Sequence, residues 1–380
     1  AQENVLDGQS QTLLGQRLRN LLTGEKRQGG GVELTLRASM QEAAAAALGD
    51  RKGAVVALDA KTGAILALYS SPSFDPNALA SRDAGEVQDA YATLDADPKN
   101  PMLNRTISER YAPGSTFKVL TAIALIENGI ANPDTRMDSP VSTTLPGTNT
   151  EVSNIESSTC GDGKPTLTEA FARSCNTTFV LASEKLTTQQ LTDVTKRFGF
   201  GHEQEIPLTV IPSVFPSDAD SAQLAMSSIG QYTVQATPMQ MAQVAQTIAN
   251  GGQMMSPYLI KQIVDADNQT IRKTKATEAG RPISADTASK VTGMMQAVVS
   301  QPYGSGTPMA IPNVSVAAKT GTAETGEGDR ANAWAMGFAP ADNPQIAFAV
   351  IVEGDDNVPA PHGGDVAGPI ARALLEAGLQ

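Results

Sequence analysis

AAKTGTAE, residues 317–324, contains the triplet Lys319-Thr320-Gly321. The same triplet occurs as Lys61-Thr62-Gly63 inside DAKTGAIL, residues 59–66. Their surroundings give the two copies opposite readings. The first lies within GAVVALDAKTGAILALYSS (53–71), where two apolar, strand-like runs flank Asp59 and Gly63. Asp and Gly are turn formers, so this copy is predicted to be the bend of a β-hairpin and nothing more. The second copy comes late in the alternating run VSVAAKTGTAE (314–324). Nothing there forces a turn. Thr322 and Ala323 can continue a strand, and Gly321 removes a side chain where another backbone can approach closely.

Working outward, VSVAAKTGTAE is followed by ANAWAMGFAP (331–340) and QIAFAVIVEG (345–354). These read as three strands at meander spacing, with GPIARALLEAGL as a closing helix. At the other end, VELTL (32–36) reads as a short strand and SMQEAAAAAL as a helix, with Ser39 its expected N-cap and Gly49 its stop. Between the hairpin and the meander lie mostly helices. STFKVLTAIALIENGIANP is apolar nearly all round its helical projection, so it is expected to be buried, ending at Asn128-Gly129. TLTEAFARS and NTTFVLASEKL read as two helices broken at Ser174-Cys175-Asn176. ATPMQMAQVAQTIANGG has Thr237 as N-cap, Pro238 at the first helical position and Gly251 past the end. Residues 71–112 and 138–165 read as loops, and within them 71–104 and 139–165 are expected to gate a cleft. The element order predicts an α+β fold: one antiparallel sheet assembled from both chain ends, flanked by helices, with a helical block inserted between.

Composition narrows the function. The 380 residues, 41% of them hydrophobic, suffice for a sizeable core. A formal net charge of -12 disfavours nucleic acid and anionic lipid as general partners. No apolar run is long enough to span a membrane. The opening AQENVLDG has no apolar leader, and residues 1–31 read as a remnant of a preceding segment, ahead of one domain over 32–380.

Three short patterns carry the chemistry. Ser115 follows Pro113-Gly114 at the mouth of the most buried helix, and Lys118 lies three residues on, about one turn away on the same face. A serine hydroxyl needs an adjacent base to act as a nucleophile. Lysine serves only when neutral, which its ordinary pKa of about 10.4 forbids at neutral pH. Burial and a second cation both lower that value. The N–H of Ser115 is an oxyanion donor in this reading. Taken alone, Ser115 is more simply a helix cap, because Ser-x-x-Lys is common by chance. Ser174-Cys175-Asn176 is the only Ser-x-Asn of the chain. Its plain reading is again capping; its functional one makes Ser174 a proton relay and Asn176 a donor to a substrate amide and to Lys118. Lys319 would be the second cation. It would hold a terminal carboxylate with the Thr320 and Thr322 hydroxyls, while a peptide adds along the strand past Gly321 and the Thr322 N–H gives the second oxyanion donor.

Ser-x-x-Lys, Ser-x-Asn and Lys-Thr-Gly, in that order, are shared by penicillin-binding proteins and class A β-lactamases. The longer stretches NRTISERYAPGSTFKVLTA, ARSCNTTF, GQYTVQATPMQMAQVAQTIANGG and AAKTGTAE resemble the transpeptidase domain of high-molecular-weight penicillin-binding proteins. GAVVALDAKTGAILALYSSPSFDPN resembles the opening hairpin of class B members. GQRLRNLLTG and SCNT look most like the actinobacterial penicillin-binding protein A type. The resemblance implies the transpeptidase fold with an all-helical subdomain, and a D,D-transpeptidase with possible D,D-carboxypeptidase activity. Its substrates would be peptidoglycan stem peptides ending in D-Ala-D-Ala, its inhibitors β-lactams, and its partners wall-synthesis membrane proteins. It implies no metal or organic cofactor, and an extracytoplasmic site at the membrane, held by an N-terminal anchor outside these residues. In that compartment Cys160 and Cys175 are expected to form a disulfide, which contributes about 3 kcal/mol. His202 and His362, isolated in sequence, are left as structural. Two rival functions share the motifs. A serine β-lactamase of class A would carry a Glu-x-x-x-Asn segment after the Ser-x-Asn triplet, and none resembling theirs is present. The other rival is a non-catalytic β-lactam sensor or scaffold; a sensor needs a signalling segment, and none is visible within these residues.

Overall fold

A computed structural model describes residues 3–6, 29–154, 157–326, 328 and 330–380. The expected remnant at 1–31, with its GQRLRNLLTG piece, falls mostly outside the described residues.

The two chain ends build one five-stranded antiparallel sheet. Its order is Ala317–Glu324, Ala331–Ala339, Ile346–Val352, Gly53–Asp59, Ile65–Ser71. Alternation along these strands gives the sheet two apolar faces. Trp334, Met336, Phe338, Ala349, Val56 and Leu58 face the inserted helices, and Pro238–Ala249 packs across this side. Val55, Ala57, Phe348, Val350 and Ala335 face the other way, onto helices Ala38–Leu48 and Gly368–Gly378. Both faces are covered, so the central strands are apolar throughout rather than half polar.

Ala317–Glu324 is an edge strand, paired only with Ala331–Ala339, with Gly321 opposite Trp334. Its neighbours on the helical side are the turn Gly114–Phe117 and the helix Ala285–Ser300. A cleft forms along this edge.

Several local expectations are corrected. Helix Ala38–Leu48 starts one residue before Ser39; Arg37 is the N-cap, and Ser39 Oγ instead donates to Ala377 O. The VELTL strand, observed as Gly31–Leu34, joins a separate sheet with Ile260–Val264 and Thr270–Lys273. Residues 71–112 contain a helix, Ala84–Asp95, capped by Asp83, none of whose residues is buried. Residues 138–165 contain a small hairpin, Ser142–Thr144 paired with Glu151–Ser153.

Candidate active site

Ser115 sits in a 3-10 turn, Gly114–Phe117, that leads directly into the buried helix Lys118–Glu127. The preceding glycine has two tasks. Its φ is +51°, in the left-handed region, and a Cβ there would stand 2.7 Å from Thr322 O. Only glycine lets the turn lie this close to the edge strand. The turn is also pinned from behind. The Trp334 indole N–H donates to Ala112 O at 3.0 Å. Tyr111 donates its hydroxyl to Glu353 at 2.9 Å, and the same carboxylate pairs with Arg105, which is 1% exposed. Burial and the Glu353 charge push the Tyr111 phenol far up, so it stays a donor.

Helix Leu167–Arg173 ends at Ser174, whose φ of 65° is left-handed in a non-glycine residue. Such a conformation costs about 1 kcal/mol or more and persists where its surroundings hold it. The next helix, Asn176–Ser183, begins two residues later. The break turns both the carbonyl of Ser174 and the side chain of Asn176 toward Lys118. Lys118 Nζ donates to Ser174 O at 2.7 Å and to Asn176 Oδ1 at 2.8 Å, with Ser174 Oγ at 3.5 Å, so Asn176 accepts from Lys118 instead of donating to it, its own NH2 being turned to Ser153 O. Cys160 and Cys175 are joined in a disulfide with Cα atoms 6.0 Å apart, within the range such a bond requires. It fastens the loop after the 142–153 hairpin to this break. The Asn176 amide also donates to Ser153 O at 3.0 Å.

Lys319 is fully buried and reaches across from the edge strand. Its Nζ donates to Ser174 Oγ at 2.9 Å and to Thr320 O at 2.8 Å. The two lysines therefore share Ser174 between them. Each Nζ also lies 5.6 Å from an aromatic ring centroid, Lys118 over Phe179 and Lys319 over Phe171. Desolvation drives the Lys118 pKa well below the ordinary lysine range, and the Lys319 charge lowers it further. Burial brings Lys319 down to about 7. A neutral Lys118 has two N–H bonds, which match its two short contacts, and its lone pair is left to take a proton. A protonated Lys319 has three, and one is left beyond its two short contacts.

Ser115, Ser174, Asn176, Thr320, Gly321 and Thr322 line one cleft of about 780 Å³. Lys118 and Lys319 lie beneath its surface. Gly321 is tight for the reason its position suggested: a Cβ would meet Pro113 O at 3.0 Å and the Thr116 backbone N at 3.1 Å. A smaller hollow of about 400 Å³, lined by Glu127, Gln190 and Arg197, holds none of these groups.

Three features were missed in the sequence. His362, isolated in sequence, is exposed on the cleft rim ahead of a π-helical turn, Gly363–Ala367. Ser305 lines the cleft and touches Thr320. The Arg105–Glu353–Tyr111 cluster braces the segment that leads to Ser115. Proximity of Glu353 to residues some 250 positions earlier leaves no local signal in the chain. His202 does not line the cleft.

Residues 53–376 match the family model for the penicillin binding protein transpeptidase domain. The chain is 43% identical over its full length to the peptidoglycan D,D-transpeptidase PbpA of Mycolicibacterium smegmatis, covering 79% of that protein. It is 40% identical to PbpA of Mycobacterium tuberculosis at the same coverage. Among solved structures, penicillin-binding protein A from M. tuberculosis, as a ceftriaxone acyl-enzyme complex, superposes with a TM-score of 0.94 at 39% identity, covering all of this chain and 86% of that one. The same protein as a penicillin G acyl-enzyme gives 0.93, covering 87%.

Proposed function

Because the chain belongs to the penicillin-binding protein transpeptidase family, we infer that it is a serine-type peptidoglycan D,D-transpeptidase acylated by β-lactams. One observation carries the assignment of roles: two buried lysines converge on Ser174 beneath the cleft that holds Ser115. In this reading Ser115 Oγ attacks the carbonyl of the penultimate D-Ala of a stem peptide, and its proton passes to the lone pair of Lys118. The N–H groups of Ser115 and Thr322 hold the oxyanion. Lys319, Thr320 and Thr322 hold the terminal carboxylate. Ser174, between the lysines, passes a proton to the leaving amine, and D-Ala departs. The amine of a second stem peptide then attacks the ester, giving the cross-link and freeing Ser115. With water in place of that amine the same steps give D,D-carboxypeptidase activity. A β-lactam follows the first half only, because its leaving amine stays tethered.

The site of action is placed outside the cytoplasmic membrane, where peptidoglycan lies, and the Cys160–Cys175 bond suits an oxidising compartment. Among the described residues no helix is long and apolar enough to cross a membrane. Attachment through an N-terminal anchor, contact with wall-synthesis membrane proteins, and a single catalytic domain over 32–380 belong to the same proposal and rest on the family resemblance.

The test is intact-protein mass spectrometry after addition of benzylpenicillin, beside Ser115→Ala. A lasting adduct of one drug mass, absent from the variant, is the expected result. An adduct that disappears as hydrolysed drug accumulates would favour a β-lactamase, and no adduct at all would favour a scaffold.

A further inference from the structure

Part of the cleft wall is loop 301–306, which follows helix Ala285–Ser300 and carries none of the three family motifs. Ser305 is its contribution to the cleft. Three neighbours fix this residue. Its backbone N–H donates to Ala172 O at 3.0 Å, at the end of the helix that stops at Ser174. Its carbonyl packs against Gly364, where a Cβ would come within 2.3 Å of it. Its hydroxyl meets the Thr320 hydroxyl at 2.6 Å. Gly304 and Gly306 pack on Val298 on either side, and Gly306 N–H donates to Val298 O at 3.0 Å. Ser305 thus bridges the Ser174 break, the Lys319–Thr322 strand and the Gly363–Ala367 turn. It is a rigid junction of three cleft walls.

Two hydroxyls at this distance share one proton between them, so the other proton is free to point elsewhere. An ionised carboxylate accepts and never donates. If Thr320 gives its proton to a ligand carboxylate, Ser305 must be the donor in the bond between the two hydroxyls. We propose that Ser305 is a positioning residue for the carboxylate end of the substrate, donating to Thr320 so that the Thr320 hydroxyl is aimed at the ligand. This rests on the transpeptidase reading above and adds a member to its carboxylate site. The chain Ser305 to Thr320 to carboxylate runs in one direction, and each bond polarises the next. The neighbouring Thr322 Oγ accepts from Gly363 N–H at 3.4 Å, which leaves its proton for the same ligand.

The experiment compares acylation by benzylpenicillin with acylation by its neutral methyl ester, the latter at millimolar concentration, in the wild type, Ser305→Ala and Ser305→Thr. Loss of an aimed hydrogen bond to a charged group should slow Ser305→Ala with the acid about 10-fold. The ester should react at the wild-type rate within about twofold, because it lacks the carboxylate that the pair orients. Ser305→Thr, which keeps the hydroxyl, should restore most of the loss. Equal slowing toward acid and ester would make Ser305 a merely structural contact and overturn the proposal, as would an unchanged rate with the acid. A wild type that takes no adduct from either compound would overturn the transpeptidase reading itself, and Ser305's role with it; that outcome is separated from the others by the unmutated protein alone.

Discussion

The two Lys-Thr-Gly triplets are the same three residues in two unlike settings. In the hairpin, Lys61 is exposed and Thr62 folds back on Asp59, which also accepts from the Lys61 and Thr62 backbone N–H groups. Three donors of that triplet, the two N–H groups and the Thr62 hydroxyl, are spent on Asp59 in closing the turn. On the edge strand, Lys319 is fully buried, Thr320 turns to Ser305, and the lysine reaches Ser174. The two glycines differ in the same way. Gly63 is required by its φ of +75°, whereas Gly321 is required by the Ser115 turn packed against it. A side chain's chemistry is set by the solvent it is denied and by what its neighbours leave unsatisfied.

The sharpest way to break this contrast is to remove each lysine. Lys319→Met should lower acylation by carboxylate-bearing β-lactams about 100-fold, the scale of losing a buried charge-assisted contact. Lys61→Met should leave it unchanged. The pH profile adds a sign. In its proposed role as base Lys118 acts only when neutral, so acylation should rise as pH climbs through its lowered pKa. The Lys319 charge helps depress that pKa. Removing the charge lets Lys118 rise, and the rising limb moves to higher pH. Lys319 must be protonated to hold a carboxylate, and its own value is about 7, so second-order acylation should fall above that pH in the wild type. In Lys319→Met this falling limb should vanish. Stopped-flow acylation across pH 5 to about 9 reads both limbs; a profile of unchanged shape in the variant would remove Lys319 from the chemistry.

The glycines give a smaller effect and a cleaner division. Gly321→Ala places a methyl against Pro113 O and the Thr116 backbone, and so displaces the Ser115 turn. Misplacement of a nucleophile by a fraction of an ångström should slow acylation about 10-fold or more. Gly63→Ala strains a left-handed residue and presses on Ser256 O, and should cost about 1 kcal/mol or more of stability with normal acylation. Thermal unfolding and acylation rates measured on both variants decide it. If both lost the same property, the two triplets would not be as different as their surroundings make them.

The features that sequence showed well were those with local causes. The Asp59–Gly63 turn, the Thr237-Pro238 start of Pro238–Ala249, and the break at Ser174 each follow from residues within a few positions. The meander was legible because burial on both sheet faces makes its strands continuously apolar. Helix Ala84–Asp95 was hidden because it buries none of its residues and so lacks an apolar stripe; its one clear signal was Asp83 accepting from Gly85 and Glu86. The 142–153 hairpin is short, polar and half-exposed, which erases alternation. In the cleft, Ser115, Lys118, Ser174, Asn176 and Lys319 could be singled out because one helix turn, one helix break and one strand fix spacings that the family resemblance picks out from simple capping. Ser305, His362 and Glu353 could not, since only the closed fold brings them to the cleft or its support.

The smallest effect is expected at Thr62, and it sharpens the contrast most economically. Thr62→Ala removes one hydroxyl that donates to Asp59 at 2.9 Å, in a turn where Asp59 keeps its two backbone donors. A half-exposed hydrogen bond with a remaining network is worth about 0.5–1 kcal/mol, so the melting temperature should fall by a few degrees at most. Acylation should be unaltered, because the hairpin's loop meets the Met255–Tyr258 segment and not the cleft. Thr320→Ala is the matched substitution, the same hydroxyl lost from the same triplet. There the oxygen faces Ser305 and the cleft, so stability should barely change while acylation by benzylpenicillin falls about 10-fold. A Thr62→Ala variant that melted normally but acylated slowly would mean that the hairpin is coupled to the site through the sheet, and that the first triplet does more than turn the chain.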